Sequence, residues 1–164
     1  MIAFDTTFLT LMLIPGARHD IADARERVEF LISDIHGRGE RIIVPTPAFS
    51  EILIRSGNAR NAIIQELTKA AKFLIAPFDM RSALELSLIS DAALSRADRQ
   101  AGVDTRVKVK FDRQIVSIAK TFGARAVYSE DNSLRATATR EGLPAYSVCD
   151  ITIPEPDQGN FWRT

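Results

Sequence analysis

Four acidic residues, Asp5, Glu51, Asp112 and Asp131, each stand next to an apolar segment of the chain. Asp5 follows Ile2-Ala3-Phe4 and leads into Thr6-Thr7, and Glu51 lies within Pro47-Ala48-Phe49-Ser50-Glu51-Ile52. Asp112 precedes the spaced Ile115, Ile118 and Ala119, and Asp131 closes Val127-Tyr128-Ser129-Glu130-Asp131. Carboxylates gathered within a few ångströms repel, so one of them takes up a proton unless a cation neutralises the group. All-oxygen ligation suits a hard divalent ion such as Mg²⁺ or Mn²⁺. Bound there, such an ion lowers the pKa of a water and stabilises charge developing on a phosphate. Zinc has no comparable donor set, since His19, His36 and Cys149 form neither a pair nor a cluster in the sequence.

Each acid also has an ordinary explanation. The helix dipole favours acids at helix starts, and acids are common turn residues after strands. Glu51 is less ordinary because Phe49, Ile52 and Leu53 surround it, and Asp5 because a charge directly follows a core strand. Taken together, the four favour a site.

For the four to meet, the chain must bring distant segments to one edge. Ile2–Phe4, Ile42–Val44, Phe73–Ala76, Ala126–Tyr128 and Ala145–Val148 read as strands, several closed by Pro or a polar turn. Between them, 18–36 has helical spacing and stops at Gly37, and Pro47 sits in the first turn of a helix with Thr46 as its cap. Another helix follows Gly57, and Asp79 caps one running to about Asp98 with Leu84, Leu88 and Ile89 facing inward. Residues 99–110 are polar and basic and read as a loop, so Asp112 opens the helix that ends at Gly123. A last helix spans 132–140. Strands alternating with helices predict an α/β fold with a mainly parallel sheet covered on both faces. In such a sheet the strand ends and following helix starts share one edge, where ligands collect.

In their order and spacing, these motifs resemble the PIN-domain ribonucleases, including the VapC-type toxins of toxin–antitoxin pairs. The likeness runs from Asp5 to about Val148. It implies a three-layer α/β/α sandwich and a Mg²⁺- or Mn²⁺-dependent endoribonuclease. Asp5, Asp112 and Asp131 would ligate the metal, and Glu51 would complete the cluster directly or through water. Thr7 and Ser129 match small hydroxyl residues that hydrogen-bond a carboxylate or a metal-bound water. The resemblance further implies an RNA substrate, a protein antitoxin as partner, and a homodimer. Two positions depart from the family pattern: Ser133 stands where another acid is frequent, and Leu134 where an aromatic is common.

Composition limits the alternatives. The chain has 164 residues, 46% of them hydrophobic, which fits one core: a PIN-like domain over 1–150 and a tail over 151–164. With 21 basic and 21 acidic side chains, any hold on phosphates has to be local. Arg106, Lys108, Lys110 and Arg113, around Asp112, are the candidates. Tyr128 and Phe111 are expected in the core, and both histidines in solvent. A single cysteine, Cys149, excludes an intrachain disulfide and reads as a buried, inert thiol in a reducing, cytoplasmic setting. Leu9–Ile14 is too short for an export core or a membrane span. A phosphoacceptor receiver domain also gathers acids at strand ends, but it needs paired acids after the first strand and a lysine ending the last, and neither is present. A degenerate PIN domain serving as an RNA- or protein-binding scaffold is the remaining alternative.

Overall fold

A computed structural model describes residues 1–95 and 103–154 of the chain. The apolar runs become strands β1 (Ile2–Phe4), β2 (Ile42–Pro45), β3 (Phe73–Ala76), β4 (Val127–Tyr128) and β5 (Ala145–Tyr146). They form one sheet in the order β3-β2-β1-β4-β5, with every neighbouring pair parallel. Ile2, Ala3, Phe4, Ile43, Val44 and Val127 have no exposed surface, as strands covered on both faces require.

The covering helices are α1 (Thr6–Leu13), α2 (Ala24–Gly37), α3 (Thr46–Arg55), α4 (Arg60–Lys69), α5 (Met80–Ser95), α6 (Val103–Thr121) and α7 (Asn132–Arg140). Right-handed crossovers assign α1–α4 to one face and α5–α7 to the other. The packing agrees: α1 meets α2 and α3 and α3 meets α4, while α6 meets α5 and α7. The result is a three-layer α/β/α sandwich. β1, β2 and β3 step in one direction across the sheet, and β4 returns to the far side of β1. That reversal opens a crevice between the carboxyl ends of β1 and β4. No helix among the described residues is long and apolar enough to cross a membrane.

Several local expectations are corrected. α1 is a helix that sequence periodicity does not reveal, because its residues are apolar or threonine throughout. α2 begins at Ala24 rather than Arg18, since Asp23 adopts a left-handed conformation (φ 60°) that a helix cannot contain. Thr46 does not cap α3: it lies inside the helix, and its hydroxyl accepts from the Phe78 amide at 3.2 Å. Asp79 does cap α5, accepting from the Ser82 amide at 2.8 Å, but Leu84 and Leu88 point outward and are 62% and 65% exposed. The end of that helix past Ser95 lies outside the described residues. The basic loop expected over 99–110 is helical from Val103, so Asp112 is the tenth residue of α6 rather than its first. The fifth strand stops at Tyr146, and Val148–Asp150 forms a 3₁₀ turn that leaves Cys149 exposed rather than buried.

At the amino edge of the sheet, one carboxylate ties three strand entrances together. Glu40, just before β2, accepts from the Met1 amino group at 3.0 Å and takes both a Nε and a Nη2 hydrogen bond from Arg125, each at 2.9 Å. Arg125 precedes β4, and its amide donates to the Met1 carbonyl at 2.9 Å. The Arg125 hydrogen bonds, followed by those of the amino terminus, pull the Glu40 carboxyl down to about 2. A lowered carboxyl pKa stabilises the fold above the unfolded value of 4.5, and that stability is lost as pH falls toward 2. Bidentate but surface-screened, the arrangement is worth roughly 1 kcal/mol. Glu40→Gln should therefore lower stability by about that amount at pH 7 in urea titrations, and the deficit should close as the pH falls toward 2.

Candidate active site

A cavity of about 530 Å³ opens at the carboxyl edge of the sheet, and Asp5, Glu51, Asp112 and Asp131 all line it. The sequence-predicted acids thus come together from four segments, by routes that differ in kind. Asp5 arrives through strand register. Phe4 pairs with Tyr128 across β1 and β4, and the ladder runs one step further, with the Asp5 amide donating to the Tyr128 carbonyl at 3.2 Å. Phe4, Phe8 and Tyr128 pack their rings together at 5.3–5.9 Å between centroids. Strand alternation then turns Asp5 and Ser129 away from that cluster and toward each other.

Asp5 is 3% exposed and well supplied with donors. Its Oδ1 accepts from the Thr7 hydroxyl at 2.6 Å and from the Phe8 amide at 3.0 Å, and its Oδ2 accepts from the Ser129 hydroxyl. The Phe8 bond makes Asp5 the N-cap of α1 as well. Burial nonetheless outweighs these hydrogen bonds and pushes the Asp5 carboxyl from 3.8 up to about 6. The roles expected of Thr7 and Ser129 as carboxylate partners are met. Ser129 also accepts from the Asp131 amide at 2.9 Å, and Thr7 from the Glu130 amide at 3.1 Å, which ties the β4–α7 turn to α1.

Asp131 caps α7, where Oδ1 accepts from the Ser133 amide at 2.8 Å and the Leu134 amide at 3.3 Å. Ser133 therefore serves the cap through its backbone, and Leu134 supplies an apolar wall of the cavity. Glu51 is held by Thr6, a residue of the opening motif given no role in the sequence, and by Arg55, which no motif included. The Thr6 hydroxyl donates to its Oε2 at 2.7 Å, and the Arg55 guanidinium, one turn along α3, donates to its Oε1. Asp112 is 6% exposed and faces the cavity from the middle of α6.

The basic residues fall differently from expectation. Lys110 and Arg113 do not line the cavity, and the side chains of Arg106 and Lys108 lie outside what the structure describes. Arg55 lines it instead, a residue whose only sequence signal was its place four residues after Glu51. Phe111, expected in the core, is 48% exposed at the cavity. Tyr128 is partly buried, as its ring contacts require. His19 is not solvent-facing: its Nδ1 accepts from the Ile21 amide at 3.1 Å, and its Nε2 lies 3.5 Å from Glu130.

The donor set suits a hard divalent ion in type, being carboxylate and hydroxyl oxygen throughout. Among the described residues, no three acid, histidine or cysteine side chains stand close enough to encircle an ion. Mg²⁺ asks for less, because it keeps several waters and takes one or two carboxylates directly. Asp5 fits that requirement: it is a buried carboxylate whose charge a cation would stabilise.

No protein-family model matches the chain, and no curated protein matches it in sequence. Among solved structures, VapC20 of Mycobacterium tuberculosis superposes with a TM-score of 0.57 over 83% of this chain and 94% of that one. The fold is PIN-like. Sequence identity over the match is 12%, so the likeness is one of architecture. VapC20 itself is described as a toxin that cleaves the sarcin-ricin loop. The PIN-like frame places Asp5 after its first strand and Asp131 after its fourth.

The raised Asp5 carboxyl has a defined effect on stability. A carboxyl whose folded pKa lies above its unfolded value costs nothing below about 3.8, a growing amount between there and 6, and the full amount above 6. The full cost is about 3 kcal/mol. With chelator present, Asp5→Asn should melt higher than the wild type at pH 8, and the gap should vanish by pH 4. Added Mn²⁺ should raise the melting temperature of the wild type but not of the variant.

Proposed function

We propose that this chain is a divalent-metal-dependent endoribonuclease and that Asp5, Glu51, Asp112 and Asp131 form its catalytic and metal-binding cluster. The observation that carries this reading is the meeting of four carboxylates from distant segments around one cavity at the strand-order reversal. Asp5, Asp112 and Asp131 would hold Mg²⁺ or Mn²⁺, one or two of them directly and the rest, with Glu51, through the waters that the ion keeps. The ion supplies an acidified water and charge neutralisation at the phosphate.

The chain's own residues do the positioning. Thr7, Ser129 and the Phe8 amide fix both oxygens of Asp5, so its orientation is set before any ligand arrives. Thr6 and Arg55 do the same for Glu51. The tie from Thr7 to the Glu130 amide keeps the β4–α7 turn, and with it Asp131, at a fixed distance from Asp5. In the overall reaction a water oxygen bonds to phosphorus, the bond from phosphorus to the leaving ribose oxygen breaks, and a proton passes to that oxygen.

The physiological role we propose is that of a cytoplasmic toxin restrained by a protein antitoxin, with 1–150 as the catalytic domain. The architecture shared with a structure described as a toxin supports this reading. A homodimer belongs to the same proposal. Its support on the molecule is the exposed row Met80, Leu84 and Leu88, at four-residue spacing along α5.

A scaffold without activity is the second reading, favoured by Glu51 being already paired with Arg55. Two measurements decide between them. Asp5→Ala and Asp112→Asn should each remain folded and lose Mn²⁺-dependent cleavage of RNA by a factor of 100 or more, within the range ~10²–10⁴ ascribed to positioned proton-transfer groups. Full activity in either variant would overturn the nuclease reading. Absence of calorimetric Mn²⁺ binding by the wild type, with no loss of signal in an Asp5 variant, would favour the scaffold.

A further inference from the structure

Two large apolar side chains stand in solvent at the mouth of the cavity. Ile54 on α3 is 75% exposed and Phe111 on α6 is 48% exposed, and both line it. Neither exposure is needed to build its helix. α3 buries Ala48 and Ile52 on its inner side, and α6 buries Ile115, Ile118 and Ala119. Each apolar residue is followed directly by a polar residue of the site, Arg55 after Ile54 and Asp112 after Phe111. Among the described residues lining the cavity, Arg55 is the one cation. It engages Glu51 through Nη2, and a guanidinium carries five N–H donors in all.

An aromatic face, an aliphatic wall and one guanidinium beside a phosphate-cleaving centre match the parts of a single nucleotide. A base stacks on aromatic side chains with little regard to its identity, and a phosphate oxygen accepts from arginine. Bases inside a duplex are stacked on one another and cannot make that contact. We infer that Phe111 and Ile54 hold one unstacked base of single-stranded RNA while Arg55 takes a phosphate of that nucleotide, making the mouth a nucleotide subsite. This rests on the nuclease reading above. A protein partner inserting an apolar side chain is the competing occupant, but Arg55, which such a side chain leaves unused, favours a nucleotide with its phosphate.

The test pairs protein variants with an altered strand. Stacking on one aromatic is worth a factor of about ten or more in binding. Phe111→Ala should therefore lower kcat/KM for single-stranded RNA by about ten-fold, and Phe111→Trp should restore it. In a set of short RNAs carrying one abasic nucleotide moved along the strand, one position should slow the wild type by a similar factor and leave Phe111→Ala unaffected. Arg55→Gln should weaken every strand alike and reduce the dependence of binding on salt by about one phosphate contact. Binding of the same strands to Asp112→Asn reads the subsite without cleavage. Abasic-sensitive binding there, with no Mn²⁺-dependent cleavage by the wild type, would sink the hydrolysis and leave the subsite standing. Wild-type kcat/KM and an unchanged abasic response in Phe111→Ala overturn the subsite and assign the mouth to a protein partner.

Discussion

A carboxylate kept almost wholly out of water, between the ends of two parallel strands, sets the terms for the rest of this molecule. Asp5 cannot be solvated, so the protein surrounds it with donors: a hydroxyl from the next turn, an amide from the helix it caps, and a hydroxyl from the neighbouring strand. The last of these is possible only because β1 and β4 are adjacent and in the observed register. Strand order, register and the short turn into α1 are thus tied to the needs of one acid. Even so the donors fall short, and the carboxyl stays well above its ordinary range. The shortfall is itself informative, since a buried group with a strongly shifted pKa in a cleft marks a place where binding or chemistry can repay the strain.

The two edges of the sheet handle charge in opposite ways. At the amino edge Glu40 is matched by an α-amino group and a bidentate arginine, so its charge is fully answered. At the carboxyl edge four acids face one cavity with Arg55 as the single lining cation among the described residues. A chain with equal numbers of acidic and basic side chains thus distributes them unevenly among the described residues that line this cavity. The amino edge acts as a structural fastening. At the carboxyl edge the described lining residues set four acids against one arginine, a local field of the opposite character.

Much of this was legible in the sequence because strands of a parallel sheet announce themselves as brief apolar runs. Ile2–Phe4 and Phe73–Ala76 could be read residue for residue, and the resemblance offered Thr7 and Ser129 as hydroxyl partners of a carboxylate or a metal-bound water, which the structure resolves as Asp5. What stayed hidden depends on partners remote in the chain or on signals that cancel. Thr6 meets Glu51 across 45 residues, and nothing local foretells it. α1 is short and made of apolar residues and threonines, whose contrast is too weak to reveal a helical period. The alternation Arg106-Val107-Lys108-Val109-Lys110 has period two and masks a helix that forms because α6 packs against α5. Phe111 looked like core by residue type, whereas its exposure follows from its angular position on α6.

The placement of Asp112 inside α6, rather than at its start, ties its carboxylate to the buried residues that follow it. Ile115, Ile118 and Ala119, buried just beyond it, fix the face of α6 that meets the core. Each residue of an α-helix turns the next by about 100°. One residue inserted between Asp112 and Ile115 would swing the carboxylate around the helix and out of the cavity. The two residues between Asp112 and Ile115, Arg113 and Gln114, are therefore fixed in number by the turn of the helix.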